Sequence, residues 1–265
     1  MKKMNLRKNL LVALGITLVA TGTLFADQKG TDIMQKVYDV KKPSYTHSAV
    51  EMDLISSNGD VQKRLVEQWG MEDSNDLAST VMIFRSPSTV KDTRFLQVEN
   101  SGDSDNSKWI YLPALRTVRR IASSDGDKSF MGTDATYNDM ETRKVSEDTH
   151  TYIKEESFNG YKCFVVKSVA NNMSESQYSS RISWIDENSY VPVKIEMYDK
   201  SNEDLYKVMT VNELKNVSGY WIPTADTMED VQSGHSTYIK ILQLELDKPL
   251  SSKMFTSNFL KTGRI

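Results

Sequence analysis

The sequence contains little cysteine and little histidine, and each shortage excludes a class of site. Cys163 is the only cysteine among the 265 residues, so no disulfide can form within the chain. It lies in the alternating apolar run YKCFVVKSV, which favours a small buried residue over a nucleophile. The three histidines, His47, His150 and His235, stand far apart in the sequence, which argues against a zinc site. His235 is expected in a turn or on the sheet surface.

The motifs of common enzymes are also missing. The chain has no G-x-S-x-G elbow, no glycine loop for phosphate and no H-E-x-x-H pair. Four loop carboxylates, Asp103, Asp105, Asp125 and Asp127, would at most bind calcium weakly, because SDGDKS lacks the spaced ligands of a calcium loop. We interpret them as solvated charge. The sequence therefore predicts no enzyme, no metal site and no cofactor.

Long hydrophobic runs are absent except near the N-terminus, where residues 10–20 are apolar. Four cations precede this run: Lys2, Lys3, Arg7 and Lys8. Such a run is short for a membrane span, and Ala26 is a suitable small residue at a cleavage site. We therefore predict a signal peptide over residues 1–26, cleaved after Ala26, and an exported protein. An uncleaved anchor is the alternative.

Excess positive charge is absent as well. Removing the predicted signal takes four of the 33 Lys and Arg and none of the 36 Asp and Glu, so the net charge moves from −3 to about −7. A net-acidic chain is a poor candidate for nucleic-acid binding, which needs clustered, unopposed cations. The basic stretch KWIYLPALRTVRRI, with Arg116, Arg119 and Arg120, needs another explanation. Its pattern is that of two short strands around Pro113, so the arginines either lie on a solvated sheet face or contact a ligand.

Alternating apolar and polar residues fill most of the remaining chain. Asn58-Gly59 and Asn159-Gly160 each separate two such runs, which is the strongest short-range signal for a β-hairpin. In YVPVKIEMYD, the alternation places Val193 and Met197 on one face and Lys194 on the other. The pattern predicts ten or eleven strands, and the short connections predict an antiparallel sheet.

Three helical segments interrupt this pattern. Helical spacing after residue 30 predicts a helix capped by Thr31 that stops near Pro43. Thr133 or Asp134 would cap a second, short helix over residues 136–144. A final short helix or turn, SSKMFTSNFL, is expected to pack Phe255 and Phe259.

Because no linker separates residues 45–250, we predict one domain over residues 27–265. A long sheet with so few helices would curl and leave a cavity.

One block of the sequence resembles a known family. WIYLPALRTVRRIASSDGDKSFMGTDATYNDM, residues 109–140, is similar to the signature of the outer-membrane lipoprotein-sorting, LolA-like proteins, and the resemblance continues through residues 190–199, 219–230 and 233–247. It implies a mainly β (α+β) fold: a half-open antiparallel β-barrel with a short helical lid, an apolar interior for acyl chains and a periplasmic address. The chain most resembles a longer subfamily associated with inner-membrane exporters of the resistance-nodulation-division type.

This resemblance predicts a carrier of a lipid or a lipidated protein, with peripheral membrane contact. The large apolar side chains that would line its cavity or lid are Trp69, Met82, Phe84, Phe95, Trp109, Tyr111, Leu112, Leu115, Phe130, Met131 and Trp184. Alternation allows only about half of them to face inward. Residues 129–140 are the lid candidate, and Arg116, Arg119 and Arg120 would meet an anionic headgroup or an acidic partner at the rim. The alternatives are a lipid-sensing regulator and a structural protein with a packed interior.

Overall fold

A computed structural model describes residues 27–102 and 106–264; the predicted signal segment and the loop residues Asp103 and Asp105 lie outside these ranges. The described residues form 13 strands of one antiparallel sheet, where ten or eleven strands were predicted. The strands are β1 Tyr45–Ile55, β2 Val61–Glu72, β3 Ala78–Ser86, β4 Arg94–Val98, β5 Ser107–Leu112, β6 Thr117–Ile121, β7 Asp148–Phe158, β8 Tyr161–Ala170, β9 Tyr178–Asp186, β10 Pro192–Asp199, β11 Leu205–Val217, β12 Tyr220–Asp230 and β13 His235–Leu246. No helix in these ranges has the length and apolar character that crossing a membrane would require.

The strand order places the chain's first and last strands side by side in the middle of the sheet. The order is β6-β5-β4-β3-β2-β1-β13-β12-β11-β10-β9-β8-β7, so β6 and β7 are the two edges. The predicted hairpin turns at Asn58-Gly59 and Asn159-Gly160 are confirmed. Gly59 and Gly160 have φ angles of 89° and 86°, which a glycine adopts without strain.

One connection differs from the hairpins. β6 and β7 follow each other in sequence but lie at opposite edges, so residues 122–147, here called the crossover segment, must pass across the sheet. The segment contains two 3-10 turns, Ser123–Asp125 and Val145–Glu147, and an isolated bridge between Ser129 and Thr136. The helix predicted over residues 136–144 is wrong, because this stretch forms successive turns. The lid candidate is therefore a loop, not a helix.

Two short α-helices flank the sheet. α1, Gln28–Tyr38, begins after Asp27, whose carboxylate accepts a hydrogen bond from the Lys29 N–H at 3.1 Å. The predicted cap at Thr31 is wrong, because Thr31 lies in the first turn and donates its N–H to the Asp27 carbonyl oxygen. α2, Ser257–Thr262, is capped by the Thr256 hydroxyl.

The alternation of side chains gives the sheet two buried faces over β2, β3 and β4. On the outer face, Trp69, Val81 and Leu96 pack beneath the C-terminal segment, and the predicted burial of Phe255 and Phe259 is confirmed there. The inner face is the one crossed by the crossover segment. Its buried apolar residues are Val50, Met52, Leu54, Val66, Phe84 and Phe95, which pack with Phe130 of that segment.

Candidate functional site

A cavity of about 290 Å³ lies between the inner face and the crossover segment. The sheet contributes the apolar side chains Met52, Met82, Phe95, Met228 and Ile239, and the crossover segment contributes Phe130, Ala135 and Met140. The residues that the sheet contributes to the lining come from six strands that are adjacent in the sheet, in the order β4, β3, β2, β1, β13 and β12. Six strands laid flat would be about 24 Å wide, so the sheet must bend around the cavity for both ends to line it. This is the half-open barrel that the sequence predicted.

An aromatic cluster anchors the crossover segment at one side of this cavity. Phe130 reaches down from the segment, with its ring 5.0 Å from that of Phe95 and 6.1 Å from that of Phe84. The ring of Tyr137 stands edge-on to Phe130 at 5.6 Å. Phe84, Phe95 and Phe130 are each at most 2 % exposed. Burial of three such rings makes this the strongest apolar attachment of the segment.

Buried cations on the sheet attach the crossover segment through its backbone and its side chains. Arg64 of β2 donates to the Met131 carbonyl oxygen at 2.6 Å, and Lys207 of β11 donates to the Asp134 carbonyl oxygen at 2.6 Å. Lys108 of β5 pairs with Glu141 and donates to the Asn138 side-chain oxygen. The three cations lie on β5, β2 and β11, which span most of the sheet, and they hold the segment between residues 131 and 141.

Asp134 of the crossover segment is bound to two residues of β13. Its carboxylate accepts a 2.6 Å hydrogen bond from the Thr237 hydroxyl, and its backbone N–H donates to that hydroxyl at 3.0 Å. The His235 Nδ1 lies 2.8 Å from both carboxylate oxygens. Asp134 is 8 % exposed, so these bonds compensate for the loss of water around its charge.

A second carboxylate of the segment, Asp139, is held by the β9 end of the sheet. Its oxygens accept from the Gln177 amide at 2.7 Å and from the Tyr178 hydroxyl at 3.0 Å. Tyr178 is buried, and burial together with the Asp139 charge raises the pKa of its hydroxyl far above the ordinary value. Tyr178 therefore stays a hydrogen-bond donor at any physiological pH.

Asp226 of β12 is the one acidic side chain that residues 27–102 and 106–264 contribute to the lining of the cavity. It lies opposite Ile239 of β13 and opposite Val211 of β11, so its neighbours across the strands are apolar. Burial raises the pKa of its carboxyl from 3.8 to about 6. The pKa of Arg64 is lowered by the same cause.

The predicted cavity residues divide between the two faces and the rest of the sheet. Met82, Phe95 and Phe130 line the cavity, and Phe84 and Met131 pack in the cluster beside it. Trp69, Trp109 and Tyr111 lie on the outer face, where they pack with the C-terminal segment. The alternation of a strand explains this, because each of the three is adjacent in sequence to a residue that faces inward.

Three further predicted residues lie away from the cavity. Leu115 stands in the β5–β6 turn with 56 % of its surface exposed, and Leu112 is half-buried at the end of β5. Trp184 packs in a separate cluster with Cys163 and Val193, and its Nε1 donates to Glu156 at 2.7 Å. Cys163 itself is fully buried, and burial raises its thiol pKa to about 11, which suits the predicted structural role.

The predicted rim arginines belong to the edge strand β6 and its turn. Arg116, Arg119 and Arg120 are exposed, and none forms an ion pair with residues 27–102 or 106–264. Arg119 lies opposite Ile110 and so on the inner side, whereas Arg120 lies opposite Trp109 on the outer side. They do not form one cluster.

Sequence reasoning missed the half of the cavity wall that β12 and β13 supply. Asp226, Met228 and Ile239 belong to strands that were recognised as alternating, but these strands reach the cavity only because β13 pairs with β1, which joins residues almost 200 positions apart in sequence. Gln97 was missed because a polar residue in a short strand ordinarily faces water. No group of three or more His, Cys, Asp or Glu able to hold a metal occurs in the described part of the chain.

Comparison with solved structures identifies the fold. A domain assigned to the outer membrane lipoprotein-sorting proteins, from Vibrio parahaemolyticus, is 28% identical with a TM-score of 0.82, covering 88% of this chain and 98% of that one. A DUF1329 family protein from Desulfovibrio piger ATCC 29098 is 25% identical, with the same TM-score and the same coverage. A LolA superfamily protein from Nitrosomonas europaea shares the fold at 15% identity and a TM-score of 0.66, covering 87% of this chain and 98% of that one.

Sequence comparison gives the family. No protein of curated function matches the chain. The model of a family described as "uncharacterized protein" matches residues 76–262, which is more than half of the 265 residues. The matched range contains β3 to β13, the crossover segment and α2. The chain therefore belongs to this family, and its fold is that of the LolA-like outer-membrane lipoprotein-sorting proteins.

Proposed function

We propose that this protein is a periplasmic, non-enzymatic carrier for a lipid or a lipidated protein. It would hold the apolar part of its cargo beneath the crossover segment and pass it between an inner-membrane exporter, of the resistance-nodulation-division type, and the outer membrane. The observation that carries the proposal is the apolar cavity closed by a segment that does not belong to the sheet. The likeness to a lipoprotein-sorting domain supports it.

The energetics of such a carrier follow from the transfer of hydrocarbon. Each methylene removed from water contributes about 0.8 kcal/mol, and a bilayer offers the same chain a similar gain. A carrier must therefore match the bilayer closely enough to accept cargo and still release it. Met52, Met82, Met140 and Met228 suit this task, because their flexible thioethers adapt to varied chains.

The size of the cavity indicates that the crossover segment acts as a gate. At about 290 Å³, the cavity is at the lower end of the range of roughly 300–1,000 Å³ for small-molecule sites. A long acyl chain needs more room, which the molecule gains if the segment lifts. Arg64 and Lys207 bind the segment through carbonyl oxygens, and water can replace a sheet cation at a carbonyl once the segment moves.

The predicted residues take different parts in this function. Met82, Phe95 and Phe130 would contact the chain, and Phe84 and Met131 would support the gate. Arg116, Arg119 and Arg120, on the exposed edge, would meet the anionic headgroups of the membrane that donates the cargo. Exposed arginines can form bidentate contacts with phosphate groups and are attracted to an anionic membrane surface.

Lipid extraction with mass spectrometry tests the proposal directly. Protein purified from its native host should carry lipid or a lipidated protein in roughly stoichiometric amount, and delipidated protein should bind the uncharged fluorophore N-phenyl-1-naphthylamine. The intact mass should also place the mature N-terminus at Asp27. An empty protein that binds no fluorophore would favour the structural alternative, and cargo-dependent binding to a signalling protein would favour the sensor.

A further inference from the structure

The cavity wall carries hydrogen-bond acceptors that have no donors. Gln97 donates its side-chain N–H to the Met140 carbonyl oxygen at 3.0 Å, but its own Oε1 is buried and has no partner among the described residues. Gln97 is 6 % exposed. Asp226 is half-buried, and its carboxylate makes no hydrogen bond or ion pair within residues 27–102 and 106–264. Both residues line the same cavity.

Nearby cations do not compensate for Asp226. Lys207 points at the Asp134 carbonyl oxygen and lies 3.9 Å from Asp139. Lys240 is the cross-strand neighbour of Ala225 and therefore lies on the other face of the sheet. The cross-strand partners of Asp226, Val211 and Ile239, are apolar, and the other lining residues near it on β12 and β13 are Met228 and the neutral Thr237.

An unpaired carboxylate in an apolar cavity is costly for the folded protein. A buried polar group without a partner loses its hydration and gains nothing in return, and for an ion this loss is larger. A ligand that brings a hydrogen-bond donor would recover the loss, whereas a ligand that brings a second carboxylate would add repulsion between like charges. The cavity therefore discriminates between head groups as well as binding hydrocarbon.

We propose that the ligand is an aliphatic molecule whose head carries a hydrogen-bond donor, a hydroxyl or an ammonium group, and that Asp226 receives this donor inside the cavity. Gln97, on β4, offers a second acceptor for a head with several hydroxyls. Free fatty-acid anions are disfavoured. This inference rests on the proposed carrier function and specifies the chemistry of its cargo.

Competition against bound N-phenyl-1-naphthylamine, with head groups varied on one chain length, tests the inference. Near neutral pH, dodecylamine and dodecanol should each displace the fluorophore at concentrations at least about tenfold lower than dodecanoic acid, because a hydrogen bond to a charged acceptor is worth about that factor. Asp226→Asn should bring the amine and the acid to within about threefold of each other. The Asn side chain keeps the size of Asp and removes the buried charge, so the variant should fold.

The matched control is Glu229→Gln on the same strand, which removes one charge from an exposed position. It should keep the wild-type order of the three compounds. Equal displacement by all three in the wild type, or an unchanged order in Asp226→Asn, would overturn the inference alone. If the wild type does not bind the fluorophore at all, the carrier function fails and the inference fails with it.

Discussion

The guanidinium of Arg64 in β2 donates a 2.6 Å hydrogen bond to the carbonyl oxygen of Met131, 67 residues later in the chain. Arg64 is 7 % exposed, its Nε has no partner and no carboxylate among the described residues pairs with it. Met131 has a φ of 53°, and Gly132 follows with a φ of 79°. A buried cation thus holds the crossover segment at a sharp turn through a single backbone carbonyl oxygen.

Arg64→Met should release this part of the crossover segment without unfolding the sheet. The methionine retains most of the apolar stem of the arginine and removes a buried cation that the fold tolerates poorly. We expect backbone amides of residues 130–134 to exchange with deuterium about tenfold faster, because one hydrogen bond is lost. Amides of β8 and β9 should keep their protection.

The control for this variant is Arg85→Met on the neighbouring strand β3. Arg85 is exposed and pairs with Glu67, so its loss affects the surface and not the gate. Equal exchange rates in residues 130–134 of the two variants would show that Arg64 does not hold the segment.

A disulfide between the gate and the sheet should stop loading. The Asp134 N–H lies 3.0 Å from the Thr237 hydroxyl, which brings the two backbones within reach of a disulfide. We expect oxidised Asp134→Cys/Thr237→Cys to bind N-phenyl-1-naphthylamine far more slowly than the same protein after reduction. Cys163 will not interfere, since its thiol is buried and its pKa is raised to about 11.

The reduced double variant and the single variant Asp134→Cys both lack the Asp134 contacts, so they isolate the effect of the covalent bond. Stopped-flow fluorescence would measure the rates. Rapid loading of the oxidised protein would mean that cargo enters the cavity without movement of the crossover segment.

The sequence was sufficient to predict a curled antiparallel sheet, but not to predict which side chains line the cavity. Alternation and the turn residues at Asn58-Gly59 and Asn159-Gly160 are local signals, and they predicted the hairpins correctly. Which face turns inward depends on what covers each face. Trp69 and Phe84 are both large apolar residues of adjacent strands, yet the C-terminal segment covers one and the crossover segment covers the other.

The crossover segment shows why local signals fail at the site. Thr133 and Asp134 are good helix caps, and they predicted a helix that does not form. In the structure, the Asp134 carboxylate accepts a hydrogen bond from Thr237, 103 residues away, and its carbonyl oxygen accepts one from Lys207, 73 residues away. These contacts stabilise the segment more than a single helical turn would, because forming the first turn of a short helix costs free energy. No pattern within the segment reveals such distant partners.

The carboxyl group of Asp226 should make stability depend on pH in a defined direction. Its pKa is about 6 in the folded protein against an ordinary value of 3.8. Above a pH of about 6, Asp226 is ionised in both the folded and the unfolded protein, and the folded protein bears the full free-energy cost of burying the charge. Below a pH of 3.8, Asp226 is neutral in both states and this cost is absent. Asp226→Asn should therefore be more stable than the wild type at neutral pH, by on the order of 2 kcal/mol.

Urea unfolding measured across this pH range would check the prediction. The advantage of Asp226→Asn should shrink as the pH falls from 6 to 3.8. Glu229→Gln, on the exposed side of the same strand, should show no such trend. An advantage that is constant with pH would mean that Asp226 is well solvated or has a partner in the folded protein.

The edge arginines should govern membrane contact and leave the cavity unaffected. Each arginine near an anionic surface contributes about 1 kcal/mol, so the triple variant Arg116→Ala, Arg119→Ala and Arg120→Ala should bind anionic vesicles about a hundredfold more weakly. Its affinity for N-phenyl-1-naphthylamine should stay unchanged, since none of the three lines the cavity. A control that removes the same charge elsewhere is alanine at the exposed residues Lys162, Lys167 and Lys200. If both triple variants lose vesicle binding equally, net charge and not the β6 edge brings the protein to the membrane.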